Sequence, residues 1–348
     1  FDIIGLAAED LATVQQDPEL SKQALIYPGS CTFAVMFHQL KEPFTDQKVR
    51  EAFAMSFDRE GWVTDVLKGL GSPTLTWIPP GYPGYDAAES RWGFDPEAAK
   101  AALAESSYGG VEGLPPITLT FSDTPRNRTR NEWLAAKWKE NLGVDLALDP
   151  VESTTYTALT KDITTAPQTF ILGWCADYPD PQNWLSVPWK TGGSLIGYSN
   201  PDFDALVNEA DTTVDPTRRA KLYAQAQTLM TDGAPAAFGW TSQNNYLIKP
   251  WVKGIVTTPL DSGFAGMQVP LSIDIYPVSY PPGKHSLGAN KGLSMVGDYT
   301  RRVVELAGST HMKFMVLQGA GWSGVAPAHN PANRLMKPTF RQQRYMMY

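Results

Sequence analysis

The chain has 348 residues, 43% of them hydrophobic and 19% charged, which is enough to bury one large core or two smaller ones. A formal charge of −7 argues against a nucleic-acid-binding surface, and no apolar run reaches the length of a membrane-spanning helix. Eleven tryptophans and fourteen tyrosines supply rings that suit either a thick core or the walls of a cleft for an organic ligand.

In chain order, residues 8–20 read as a short helix with Leu11 and Val14 as its apolar positions, and 26–37, which contain Cys31, as an extended β-rich run. Thr45 is an N-cap candidate for a helix over 46–57, where Val49, Phe53 and Phe57 recur every fourth residue and make one buried stripe. A second helix is expected over 61–70, closed by Gly71. Residues 73–85 hold so much proline, glycine and aromatic character that they are expected to be irregular and largely superficial. Asp95-Pro96-Glu97 opens another helix with a cap, a proline in the first turn and an acidic residue. A strand over 116–121, a helix over 131–141 carrying Leu134 and Trp138 and stopped by Gly143, and a strand over 144–148 make an α/β unit. The alternation runs on to a buried strand, Thr169-Phe170-Ile171-Leu172. Helices over 203–210 and 217–230, the latter opened by Asp215-Pro216, precede strands over 236–240 and 245–248. The pattern is α/β and no internal repeat is visible.

The buried strand before residue 173 runs into Gly173-Trp174-Cys175-Ala176-Asp177-Tyr178-Pro179-Asp180-Pro181, where the prolines forbid a regular element. A carboxylate at the mouth of a buried strand, beside an indole, suits a cationic group in a closed cleft; equally, an aspartate there can cap a turn or the next helix. The chain has two cysteines, Cys31 and Cys175. They read either as two buried thiols or as a disulfide that ties the strand bearing Asp177 to an early one and implies an oxidising compartment.

Dinucleotide, phosphate-loop, zinc-protease and serine-hydrolase motifs are absent from the sequence. His38, His285, His311 and His329 lack the spacing of a metal site, so neither a metal nor a cofactor is expected. Asp177 and Asp180 serve as a glycoside hydrolase pair only if both face one pocket about 5–9 Å apart, and this is the weakest of the readings.

Five ordered segments carry a resemblance. They are residues 1–11, Pro43-Phe44-Thr45-Asp46 onward to Arg59, Trp92-Gly93-Phe94-Asp95-Pro96-Glu97 onward to Lys100, the Gly173 to Pro181 motif, and Tyr198-Ser199-Asn200-Pro201-Asp202-Phe203-Asp204. Together they resemble the extracytoplasmic solute-binding proteins of peptide and nickel ABC transporters. The resemblance implies an α/β, periplasmic-binding-protein-like fold of two lobes, with the second large lobe present and the first incomplete. In these terms 1–30 end a first-lobe segment, 31–240 form the second lobe, 241–284 return to the first, and 285–348 are unassigned. It implies a missing N-terminal portion of the same protein, and a periplasmic or extracytoplasmic location that includes lipid anchoring through that portion. The implied partners are short peptides and the membrane permease. Asp177 would pair with a peptide's α-ammonium group, Trp174 and Cys175 would stand in the surrounding wall, and Cys31 and Cys175 would form a disulfide. The expected function is capture and delivery of short peptides without catalysis; the alternative is a structural or interaction subunit derived from such a protein.

Residues 285–348 depart from the family pattern. They hold eight Lys/Arg against two Asp/Glu, a local charge of +6 that leaves −13 for the rest, and six of the ten methionines. Tyr280-Pro281-Pro282-Gly283-Lys284 marks the boundary as a turn or linker.

Overall fold

A computed structural model of the chain describes residues 3–252, residues 255 and 257, and the pairs 274–275 and 316–317. The chain divides into two units, Phe1–Ala265 and Gly266–Tyr348. In the second, Asp274–Ile275 and Val316–Leu317 pair as short parallel strands. The expectations for 285–348 otherwise lie outside the described residues, including His285, His311 and His329.

The first unit runs β1 (Ile3–Gly5), α1 (Ala8–Gln16), β2 (Ala24–Phe37), α2 (Gln47–Met55), α3 (Arg59–Gly61), β3 (Ser72–Pro73), α4 (Pro96–Glu105), β4 (Ile117–Ser122), α5 (Pro125–Leu142), β5 (Leu146–Val151), α6 (Ser153–Leu159) and β6 (Thr169–Cys175). It continues with α7 (Pro181–Trp184), α8 (Ser186–Trp189), α9 (Pro201–Thr212), α10 (Pro216–Asp232) and β7 (Ala236–Ile248). The strands form one mixed sheet in the order β1-β7-β2-β6-β4-β5, with β3 also paired to β7. β4, β5 and β6 are mutually parallel through their contacts with β4, and the long strands β2 and β7 pair antiparallel to their neighbours.

Side chains alternate across this sheet with period two. Val35 and Phe37 of β2 join Ala237 of β7 in a core filled by Val49 and Phe53 of α2 and Leu134 and Trp138 of α5. Ala34 and Met36 point the other way, with Phe170 and Phe238, into a second core against Trp184, Trp189, Phe203 and Tyr223. Two bulges interrupt the β2–β7 register. At Gly239, which no residue of β2 opposes, the ladder skips from Trp240↔Phe33 to Phe238↔Ala34. The alternation therefore shifts and Trp240 stays on the α2–α5 side, stacked on Phe33 at 5.1 Å. A Cβ at Gly239 would meet Phe57 Cε1 at 2.9 Å, so the close approach requires glycine. The second bulge lies between Pro28 and Thr32. Beyond it β2 pairs only with β7, whose far end also carries β1, giving a ribbon that continues past the body of the sheet.

Several boundaries differ from the sequence expectation. The cap of α2 is Asp46, whose carboxylate accepts the Lys48 N–H, rather than Thr45. The helix expected over 61–70 starts at Arg59, capped by Asp58, and ends in a π-helical turn, Trp62–Val66. α5 begins six residues early because Thr124 and Pro125 already supply a cap and a first-turn proline. The strand expected over 144–148 lies at Leu146–Val151. The two strands expected over 236–240 and 245–248 are one, since the bulged pairing with β2 carries β7 through the polar residues between them. The proline-rich 73–85 stretch is irregular but not superficial: Trp77, Ile78 and Tyr82 are buried. Two of its hydroxyls are satisfied within the turn, where Thr74 and Thr76 bond each other at 3.0 Å and Thr76 donates to Ile78 O. Trp77 is then free to pack on Trp189 at 5.3 Å.

Candidate functional site

The site lies at the carboxyl end of β6, the edge at which open α/β sheets present ligands. β6 pairs with β2 over seven residues, and the last pair in register is Cys31↔Cys175. These two cysteines form a disulfide. The bulge before Cys31 is held by Ser242, whose hydroxyl accepts the Cys31 N–H at 3.2 Å, and by Ser30 O, which accepts the Ala176 N–H at 2.9 Å. Both strands are thus anchored immediately before Asp177.

Asp177 itself is exposed and held by one residue, the buried Asn183 of α7. Asn183 Oδ1 accepts the Asp177 backbone N–H at 3.2 Å and the Trp174 indole N–H at 3.2 Å, while its Nδ2 donates to Asp177 Oδ2 at 3.1 Å. The carboxylate is oriented by a neutral amide, and among the described residues no Lys or Arg pairs with it. Its neighbour Asp180 has the opposite fate. It caps α7 through the Gln182 N–H and binds the Arg219 guanidinium through both oxygens, at 2.7 and 2.8 Å. Desolvation pushes the Asp180 carboxyl up, but Arg219 and the Gln182 N–H outweigh it and leave the group below the usual carboxylate range. Both Asp180 oxygens are thus engaged in a local ion pair and helix cap.

Trp174 lies on the face of β6 that packs against the second core. With Met36, Trp77, Leu172, Trp189 and Ile196 it lines an apolar cavity of about 320 Å³. The structure therefore joins Asp177 and Trp174 through Asn183, and places Cys175 in the disulfide behind them. Sequence reasoning missed Asn183, because nothing in Pro181-Gln182-Asn183-Trp184 marks one polar residue of a short helix as inward-facing. Arg219 was equally hidden; its only signal is the length of its spacing from Asp180. His38 is a core residue, bonded through Nε2 to Ile163 O at 2.9 Å. No group of three His, Cys, Asp or Glu able to hold a metal occurs among the described residues.

The fold and this edge define a solute-binding class. Residues 1–195 match the bacterial extracellular solute-binding proteins, family 5, middle portion, and the chain belongs to that family. It is similar to heme-binding protein A of Haemophilus influenzae, 32% identical over 273 residues that cover 75% of this chain and 48% of that protein. It is also similar to the dipeptide-binding protein of Escherichia coli, 30% identical over 258 residues that cover 72% and 47% of the two chains. Among solved structures, the Escherichia coli murein tripeptide binding protein MppA superposes with a TM-score of 0.66 at 26% identity, over 76% of this chain and 52% of its own. The fold is that of the two-lobed periplasmic binding proteins, and the chain spans about half the length of the curated relatives it matches.

Proposed function

We propose that this chain is part of an extracytoplasmic substrate-binding component of an ABC transporter, which encloses short peptides between two lobes, pairs their α-ammonium group with Asp177 and hands them to the membrane permease. The observation that carries this reading is the state of Asp177, an oriented carboxylate whose single side-chain partner among the described residues is a neutral amide. An ammonium group arriving in a closed cleft completes the hydrogen bonding of that carboxylate, the condition under which a desolvated ion pair is favourable. The apolar cavity bearing Trp174 takes an adjoining side chain without demanding a particular one. The disulfide is in keeping with an oxidising compartment outside the cytoplasm. The assignment of 31–240 to one lobe, with 1–30 and 241–284 leading to the other, is supported by the ribbon of β1, β2 and β7 that runs beyond the body of the sheet.

Calorimetric titration of the full-length chain with di- to penta-alanine tests the reading. Asp177→Asn is expected to weaken binding of free-amine peptides at least about thirtyfold, the scale of a charge-assisted hydrogen bond in a closed site. Unchanged affinity in that variant refutes the role of Asp177.

A further inference from the structure

Asn183, which orients the Asp177 carboxylate, sits on α7, a helix of four residues. A single helical turn is unstable alone, because nucleation fixes several residues for one hydrogen bond. The placement of Asn183, 1% exposed, therefore depends on what holds the ends of α7. The N-cap Asp180 is tied through the main chain on both sides: its N–H donates to Tyr178 O at 2.9 Å, and its carbonyl accepts the Asn183 N–H at 3.1 Å. A displacement of Asp180 is thus passed to Tyr178, next to Asp177 in sequence, and to Asn183, its hydrogen-bond partner.

Asp180 is fixed in turn by Arg219, the fourth residue of α10. While Nη1 and Nη2 of the guanidinium bind both carboxylate oxygens, Nε donates to Ala210 O at 3.2 Å. Ala210 lies in the last turn of α9, where carbonyls lack partners within the helix and a cation is favoured. The guanidinium carbon stands 4.8 Å from the ring centre of Tyr223, itself 1% exposed. The Tyr223 hydroxyl donates to Asp211 Oδ1, which also accepts the Ser186 hydroxyl at 2.8 Å at the start of α8. One polar network therefore moors both short helices, α7 and α8, to the α9–α10 pair. The Arg219 and Asp180 side chains are 25% and 34% exposed, so water screens the pair incompletely. Its two parallel bonds fix direction as well as charge, which a lysine in that place does not do.

We infer that Arg219 is a positioning residue for the ligand edge: by clamping Asp180 it fixes α7, and through Asn183 it sets the Asp177 carboxylate. The proposal rests on the reading of Asp177 given above, and two measurements separate them. In the first, amide hydrogen exchange of the full-length chain is followed by mass spectrometry in Arg219→Gln and Asp180→Asn; the second variant keeps a good helix cap and loses only the ion pair. Exchange over residues 177–184 is expected to quicken about tenfold in both, with β6 unchanged. Unchanged exchange over 177–184, or equal quickening in β6, overturns the clamp. In the second, the same chains are titrated with tri-alanine and its N-acetyl form. Each variant is expected to bind tri-alanine about tenfold more weakly, and the double variant no worse than either single one. Binding of the N-acetyl form is expected to stay at its native level. Equal losses for both peptides, or additive losses in the double variant, overturn the positioning role. If the native chain binds the two peptides alike, or binds neither, the reading of Asp177 is refuted and the link to the ligand falls with it, while the exchange measurement still decides whether Arg219 holds the turn.

Discussion

Replacing Cys31 and Cys175 by serine is expected to lower the stability of the first unit by about 3–5 kcal/mol. The bridge closes a loop with a sequence separation of 144 residues, for which the chain-entropy relation gives about 5 kcal/mol at 25 °C, with measured values usually somewhat lower. The folded state needs no rearrangement when the bridge is absent, because Cys31 and Cys175 are the last of seven consecutive residue pairs in the β2–β6 ladder. The loss therefore falls on the unfolded side of the balance, where an unlinked chain is freer. For a unit of this size 1 kcal/mol moves the melting temperature by about 2–4 °C, so scanning calorimetry should record a drop of about 10 °C. Wild-type protein in a phosphine reductant should melt with the double variant. A drop of less than about 2 °C, with reduction confirmed by mass, refutes the argument that the crosslink acts through the unfolded chain.

Two further expectations test the same region and the core. Asn183→Ala removes three hydrogen bonds and should cost about 2 kcal/mol in denaturant unfolding, given about 0.5–1.5 kcal/mol each with partial rehydration. It should also weaken free-amine peptides by about tenfold; stability loss with intact affinity would make Asn183 a structural residue only. Burial, together with the Lys41 charge, lowers the pKa of His38 against the opposing effect of Ile163 O. A base whose folded pKa is depressed binds its proton more readily when unfolded. Its contribution is therefore present above the unfolded value, about 6.5, and is lost as pH falls through that region. His38→Gln should flatten the pH dependence of unfolding between about pH 6.5 and the folded-state pKa below it, and an unaltered slope would contradict the assignment.

Helix starts marked by an Asp-Pro pair were legible in the sequence, because the cap and the first-turn proline are local chemistry. Asp95-Pro96 and Asp215-Pro216 open α4 and α10 where they stand, and Gly143 stops α5 in the left-handed region, φ 82°. Legibility failed where distant partners decide. The buried course of 74–79 depends on Thr74 and Thr76 bonding one another and on Trp77 meeting Trp184 and Trp189 from α7 and α8. The continuity of β7 depends on β2. At the site, Asp177 and Trp174 stand out because they end a buried strand, whereas Asn183 and Arg219 carry no local signal. Their significance lies in what else occupies the space around them.

Within the ladder Ile3 is the direct partner of Ile248, so β1 and the far end of β7 lie side by side on neighbouring antiparallel strands, about 5 Å apart. A short turn linking Ile248 to Ile3, with the chain opened among the exposed residues 86–88, would leave every strand pairing of the sheet in place. The sheet is accordingly suited to circular permutation through the corner where β1 meets β7. A reporter domain spliced there would be carried on the β1–β2–β7 ribbon rather than on the edge that bears Asp177.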